Sequence, residues 1–298
     1  MNLKQLETFS LVAELGSLSR AAVAADVAQS LISRQLAQLE AEWGDRLFER
    51  TGRGSVLSEF GRRVQPEINL LLDQARRLEG AVKEAAGVPT GTVHLGVLPS
   101  MSRELLPLLF TDVRLRAPAV RLHVTEGFSG DLDEQLASGR LDISVVNRYA
   151  STRMRGDDVL GTVESFAIGK PSNTELAMNT ITLHQLAKLP LVLPTRPNGL
   201  RTILDQLARQ RGIHLDIVME VDTLTAMKDV AASGHAYTIL PLMAVSDDVA
   251  SGRVAAMRIV SPGIKRTIAL GLTNKRPLSM AARMVAMRVR ALAVKLLS

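Results

Sequence analysis

Two short segments with helical apolar spacing meet across a tight break between residues 19 and 40. The first spans 19–25, the break spans 26–28, and the second spans 29–40. In the second segment Ile32, Leu36 and Leu39 recur at the spacing of one helix face, which leaves the opening polar side chains outside. The pattern predicts a helix-turn-helix, whose second helix lies in the major groove of DNA. An ordinary three-helix bundle with a solvated face is the alternative.

The side chains expected on the outer face suit contact with DNA. Gln pairs with adenine, Arg pairs with guanine, and Ser suits either a phosphate or a base edge. A glycine-rich turn follows between two short extended runs, which predicts a β-wing whose arginines reach phosphates. The candidate DNA-binding residues are Gln29, Ser30, Ser33, Arg34, Gln35, Arg50 and Arg53.

Bulk charge does not support this prediction, although the net charge is +6. The first 58 residues hold six basic and seven acidic side chains, whereas residues 88–298 hold 25 basic and 18 acidic ones. The basic excess therefore lies in the part that we do not expect to touch DNA. Contact with DNA must depend on where individual charges stand.

The amino-terminal motifs together resemble the LysR-type transcriptional regulators. The resemblance implies a winged helix-turn-helix over 1–58, a dimerising linker helix over 59–88 and an effector-binding domain over 89–298. It also implies promoter DNA as partner, tetramers built from two dimers, and contact with RNA polymerase. The residues that carry it are Ala21, Ala22, Gln29, Ser33, Arg34, Leu39, Glu40, Leu47, Phe48, Arg50, Gly52, Arg53, Leu57, Ser58 and Gly61.

The chain departs from the family pattern around the start of the second helix. Ala28 stands where the family has a capping Ser, and losing such a hydroxyl costs about 1 kcal/mol. Asp26 is an alternative cap. The other departures are Ala25, Ser30 and Trp43, where the family has Leu, Pro and Leu.

The segment from Ser58 to about residue 87 predicts one long helix with a coiled-coil seam. Apolar residues alternate spacings of four and three, and Pro66 predicts that the seam becomes regular only after it. Packing of this helix onto the protein's own core is the alternative. The seam residues are Val64, Ile68, Leu71, Ala75, Leu78, Val82 and Ala85.

Beyond the linker at 87–91, strand-like runs alternate with helical ones as far as residue 297. This alternation predicts an α/β domain built around largely parallel sheets. The resemblance implies two lobes like those of a periplasmic binding protein. One lobe covers about 91–163 and 267–298, and the other covers about 164–266.

Effector candidates follow the carboxyl ends of the strands, where ligands of α/β sheets bind against helix amino termini. Basic excess and clustered hydroxyls predict an organic anion. The serines are also plain helix caps, the arginines also suit surface ion pairs, and the aromatic ring also suits a core. The candidates are Ser100, Met101, Ser102, Phe128, Ser129, Asn147, Arg196, Pro197, Asn198, Arg201 and Thr223.

The sequence offers little catalytic chemistry. The chain has no cysteine, its five histidines are scattered, and no phosphate-cradling loop or nucleophile elbow is present. We therefore predict a cytoplasmic regulator that has no cofactor, is not an enzyme and does not enter a membrane. The alternative is a cytoplasmic solute-binding or enzymatic α/β protein whose amino-terminal bundle serves assembly.

Overall fold

The computed structural model describes residues 1–51, 54–84, 87–149, 158–173 and 179–297. The chain divides into two compact units, Met1–Ala86 and Gly87–Ser298. Within the described residues, no helix has both the length and the apolar character needed to cross a bilayer.

The amino-terminal unit is a helical bundle with a two-stranded wing. A capping box at Asn2 begins the first helix, and Gly16, at φ 63°, ends it in the left-handed conformation that glycine adopts easily. Strands β1 and β2 pair in antiparallel register. The elements are α1 (Leu3–Leu15), α2 (Leu18–Ala24), α3 (Gln29–Trp43), β1 (Phe48–Thr51), β2 (Gly54–Leu57) and α4 (Glu59–Glu84).

Helix α4 is divided between two roles. Its first half packs into the bundle core, where Ile68 and Leu72 are each only 4 % exposed. Its second half leaves Leu78 and Val82 largely exposed. Pro66 lies inside one continuous helix and does not break α4. Because Val64 and Ile68 lie in or against the core, own-core packing is correct for that half and the proposed seam shortens.

The carboxy-terminal unit is organised by an eight-stranded mixed sheet with the order β4-β3-β5-β12-β6-β11-β7, in which β10 also pairs with β6. Strands β8 and β9 form a separate parallel pair. The bounds are β3 (Gly91–Val97), β4 (Val120–Glu126), β5 (Ile143–Arg148), β6 (Asp158–Gly169), β7 (Thr180–Thr182), β8 (Leu191–Leu193), β9 (Ile217–Glu220), β10 (Thr238–Pro241), β11 (Ala255–Val260) and β12 (Lys265–Leu272).

The long strand β6 joins two halves of this unit. Its first part pairs with β12 through Glu164, and its last part, from Ser165, pairs with β10 and β11. We call β3, β4, β5 and β12 with their helices the first lobe, and β7–β11 with theirs the second lobe. The predicted largely parallel sheets are wrong, because β12 runs antiparallel to both β5 and β6 where the chain returns between the lobes.

Seven helices and one short 3-10 turn, Leu242–Ala244, accompany the described strands. Helices α5 and α11 cover one face of the first-lobe sheet, and the second lobe has two apolar clusters of its own. The apolar patterns of the sequence do not predict β7, α7, α10 or the 3-10 turn. The helices are α5 (Pro99–Arg116), α6 (Ser129–Ala137), α7 (Leu183–Leu186), α8 (Gly199–Arg211), α9 (Leu224–Ser233), α10 (Ser246–Ala250) and α11 (Met280–Leu297).

Candidate functional sites

Helix α3 presents a polar face at its first turns. Ile32, Leu36 and Leu39 are buried, and these apolar residues fix the helix against α1 and α2. Gln29, Ser30 and Arg34 are exposed and Ser33 is half-buried. Within the described part of the chain, the Arg34 guanidinium forms no ion pair. It is therefore available to a base edge or a phosphate.

The start of α3 has no side-chain cap. Ala28 occupies the cap position with extended backbone (φ −67°, ψ 139°), and no side-chain hydrogen bond is made there. Asp26, the alternative cap, instead forms the turn before the helix with φ 53°. The first backbone N–H groups of α3 thus remain without a capping side chain, and such groups bind phosphate readily.

Two contacts missed by the sequence analysis fix α3 in place. Thr8 Oγ1 donates a hydrogen bond to Gln35 Oε1 at 2.5 Å, so the Gln35 side chain is held by α1 and is not free. Glu40 Oε1 accepts from the backbone N–H of Leu47 at 2.7 Å, which ties the helix to the wing. Only the recurrence of Glu at this position in the family pattern hinted at the second contact.

The described residues include both strands of the wing but not residues 52 and 53 between them. Strand β1 carries Arg50, whose backbone pairs with Ser55. The side chain of Arg50 and the whole of Arg53 lie outside the described residues. Their predicted contacts with phosphate therefore stay predictions.

The start of α5 lies at the carboxyl end of β3, as the effector prediction requires. Ser100 is half-buried. The Ser102 hydroxyl lies 3.2 Å from the carbonyl oxygen of Pro99 and 2.5 Å from Glu126 Oε2, so it is already engaged. Met101 is fully buried in the first-lobe core and does not line the candidate site, because the third residue of α5 faces the sheet.

Three predicted effector residues at the start of α6 and on β5 make different contacts. The half-buried ring of Phe128 packs against the second-lobe cluster, so it bridges the two lobes. Ser129 Oγ accepts from the backbone N–H of Asn147 at 2.9 Å, which brings these two predicted residues together. The buried Asn147 Oδ1 makes no hydrogen bond within the described residues.

The candidates near α8 and α9 serve mainly as caps and ion pairs. Asn198 caps α8 and Thr223 caps α9 through their side chains. Arg196, after which comes a cis bond to Pro197, donates to Asp205 at 2.7 Å. Arg201 is 6 % exposed and pairs with Asp205 and Glu220. Burial opposes the charged form of Arg201, but these hydrogen bonds outweigh it and raise the pKa of the guanidinium.

A different arginine, which the sequence analysis missed, lies where the lobes meet. Arg266 is 5 % exposed and donates from Nη2 to Ser165 Oγ at 2.9 Å. Tyr149 lies nearby and packs so closely on the start of α8 that a Cβ on Gly199 would approach its ring to 2.9 Å. Burial raises the pKa of the Tyr149 phenol, and the Arg266 charge opposes that rise. No local motif marks these residues.

Among the residues described, no group of three His, Asp or Glu side chains is arranged to hold an ion.

Two family models match the chain and together cover most of it. The helix-turn-helix model of the bacterial lysR family matches residues 3–62, and the LysR substrate-binding domain matches residues 86–293. These matches decide between the two functions left open by the sequence. They favour the regulator over a solute-binding or enzymatic protein with an assembly bundle.

Curated relatives span nearly the whole chain. The uncharacterized HTH-type transcriptional regulator YeiE of Escherichia coli is 27 % identical over 90 % of this chain and 90 % of its own length. The nitrogen assimilation regulatory protein nac of Klebsiella aerogenes is 26 % identical over 96 % and 93 %. The HTH-type transcriptional regulator YwqM of Bacillus subtilis reaches 30 % over 85 % and 87 %.

Solved structures share the fold at lower identity. CbnR, a LysR family regulator solved with its target DNA, aligns with a TM-score of 0.72 at 23 % identity, covering 98 % of this chain and 100 % of the other. HinK of Pseudomonas aeruginosa aligns with a TM-score of 0.58 at 22 % identity, covering 99 % of both chains.

Proposed function

Because the chain belongs to the LysR family of transcriptional regulators, we propose which of its residues read DNA and what kind of effector controls them. It is a DNA-binding regulator modulated by an effector. We assign DNA binding to residues 1–58, dimerisation to 59–88 and effector binding to 89–298. The relatives are regulators, and we accordingly propose a cytoplasmic regulator without catalytic activity.

The exposed opening of α3 is the observation that carries the DNA assignment. Gln29, Ser30, Ser33 and Arg34 lie on its solvent side, and the uncapped helix start adds backbone N–H donors. We assign base reading to Gln29 and Arg34 and phosphate contact to the serines, Arg50 and Arg53. Gln35 instead holds the helix through Thr8.

Dimerisation through the part of α4 that begins at Leu71 is supported by its exposed apolar side chains. Leu71 is 44 % exposed and recurs with Leu78 and Val82 at coiled-coil spacing. A dimer presents two recognition helices to an inverted repeat about one helical turn, or a small multiple, apart. We further propose that two dimers form a tetramer and that the DNA-bound protein contacts RNA polymerase, as the family resemblance implies.

The effector is proposed to be a small organic anion bound between the lobes. The basic excess of residues 88–298 supports an anion. The start of α5 and the carboxyl ends of β3 and β5 meet at one edge of the sheet, because Val97 pairs with Val145 in parallel register. Ligands of open α/β sheets bind at such edges.

Selective DNA binding by the full chain tests the proposal. The protein is titrated onto the DNA upstream of its own gene, with shuffled DNA as competitor, at two salt concentrations. We expect saturable, selective binding that weakens steeply with salt. Arg34→Met should weaken it about tenfold and reduce selectivity, since a bidentate base contact is lost.

Arg140→Met is the matched control, because it removes the same charge from an exposed arginine that pairs with Glu134. It should leave DNA binding within about twofold of the unaltered protein. Binding of shuffled DNA with equal affinity would overturn the proposal, as would an equal loss in both variants.

A further inference from the structure

We propose that the Arg266 guanidinium binds the anionic group of a small carboxylate effector at the junction of the two lobes. This inference rests on the proposed function and names the residue and ligand class of its effector site. It replaces the role that the sequence analysis gave to Arg196 and Arg201, whose charges are already matched by Asp205 and Glu220.

Among the described residues, no acidic side chain forms an ion pair with the buried Arg266 guanidinium. Its side chain is 5 % exposed, its one hydrogen bond within the described residues goes to a serine hydroxyl, and its Nε has no acceptor there. A buried guanidinium that lacks an acidic partner is costly, because charges are strongly disfavoured away from water unless compensated.

Two other buried arginines of this unit, Arg148 and Arg201, have carboxylate partners. Arg148, 3 % exposed, donates to both carboxylate oxygens of Asp133 at 2.7 and 2.8 Å. Arg201 pairs with two carboxylates. Arg266 differs from both, and an external carboxylate would give it the planar partner that guanidinium groups favour.

Strand register places a second polar group on the same face of the sheet as Arg266. This group is Asn147 Oδ1, which has no hydrogen bond within the described residues. Asn147 lies opposite Ile268 in the antiparallel β5–β12 pair, and Arg266 is two residues from Ile268. Because side chains alternate along a strand, Asn147 and Arg266 share the face that Ile268 presents to the α5 side. Such diagonal neighbours lie about 7–8 Å apart, a distance that a small molecule spans.

Arg266 Nε and Asn147 Oδ1, which lack hydrogen bonds within the described residues, have complementary hydrogen-bonding roles. Arg266 Nε offers a donor beside a positive charge, whereas Asn147 Oδ1 offers an acceptor. A carboxylate that also carries a hydroxyl or amino group satisfies both. Because Arg266 and Ser165 stand where β6 passes from first-lobe to second-lobe pairing, a ligand there contacts both lobes. Binding at this point can change how the lobes are arranged.

Thermal unfolding of the full chain with a panel of hydroxy- and amino-carboxylates tests the inference. Each acid is paired with its neutral amide, and inorganic phosphate and sulfate are included. We expect at least one carboxylate to raise the unfolding temperature by about 5 °C, while its amide does not. Calorimetric titration then gives its affinity for each variant.

Arg266→Met should weaken that carboxylate at least tenfold, and Arg266→Lys should weaken it less, because the charge remains but the planar fork is lost. The ligand-free Arg266→Met protein should unfold at the same or a higher temperature, since an uncompensated buried charge is removed. The control is Arg121→Met, at an exposed position on β4.

Several results would overturn the inference. One is that Arg266→Met binds the carboxylate as tightly as the unaltered protein. Another is that no carboxylate raises the unfolding temperature, or that only amides, phosphate or sulfate do so. A third is that ligand-free Arg266→Met fails to fold. Selective binding of the upstream DNA by the unaltered protein is measured in parallel. If that binding is present and the carboxylate result fails, only this inference fails, whereas loss of selective DNA binding removes the proposed function itself.

Discussion

Glu40 in the recognition helix accepts a hydrogen bond from the backbone N–H of Leu47 at 2.7 Å, and Leu47 is fully buried. The same carboxylate oxygen lies 3.4 Å from the N–H of Phe48, at the start of the wing. One side chain therefore links the element expected to read bases to the element expected to reach phosphates. Their relative position depends on it.

Glu40→Ala should destabilise the amino-terminal unit by about 1–3 kcal/mol, because it leaves a buried N–H without its acceptor. Glu40→Gln should cost less, since an amide oxygen can still accept. Urea unfolding of the purified chain measures both, with Glu14→Ala at an exposed position of α1 as control. Equal effects at positions 14 and 40 would show that the hydrogen bond between Glu40 and the Leu47 N–H does not stabilise the protein.

Gly61→Ala should destabilise the protein although alanine favours helices. A Cβ at position 61 would lie 2.2 Å from the backbone oxygen of Leu47, so the wing would have to move. Gly130→Ala is the matched control in α6, where a Cβ meets nothing within 4 Å. That change should stabilise by about 0.5–1 kcal/mol. Thermal unfolding separates the two, and a stable Gly61→Ala variant would contradict the packing described for the wing.

Ala28→Ser should stabilise the start of α3 by about 1 kcal/mol, because extended backbone at the cap lets a hydroxyl accept from an unpaired N–H. Ala37→Ser, exposed in the middle of the same helix, should give no such gain. Unfolding and affinity for the upstream DNA are measured together. If Ala28→Ser changes neither, the helix does not begin at Gln29.

Arg288→Met should weaken the attachment of α11 to α5. Arg288 donates to both carboxylate oxygens of Asp112, at 2.6 and 2.9 Å, and these bonds lower the pKa of that carboxyl. A carboxyl whose folded pKa is lowered stabilises the protein above its ordinary pKa, and the contribution is lost as pH falls through the lowered value. We expect the variant's free energy of unfolding to be lower by about 1 kcal/mol at pH 7. This difference should shrink below about pH 4.

Urea unfolding at pH 7 and pH 3 measures this difference. Lys188→Met, which removes one exposed positive charge, serves as control. A deficit in Arg288→Met that stays constant between the two pH values would mean that packing by the Arg288 side chain, and not the ion pair, is what matters.

The sequence by itself determined the local elements and the family. Apolar spacing located α2 and α3, and the glycine-rich turn located the wing. Alternating runs identified most strands and helices of the carboxy-terminal unit. These patterns are local, because helix and strand periods are set by neighbours a few residues apart.

Only the tertiary structure decided which side chains are already engaged. Spacing alone put Ile68 and Leu71 on one seam, but the bundle core buries Ile68 and leaves Leu71 exposed. Likewise Arg201 meets its Glu220 partner 19 positions away, and Arg266 meets Ser165 across 101 positions. Charge compensation and burial depend on residues that only folding brings together. For this reason the sequence pattern pointed to Arg196 and Arg201. Arg266, which has no acidic partner among the described residues, became visible only in the folded chain.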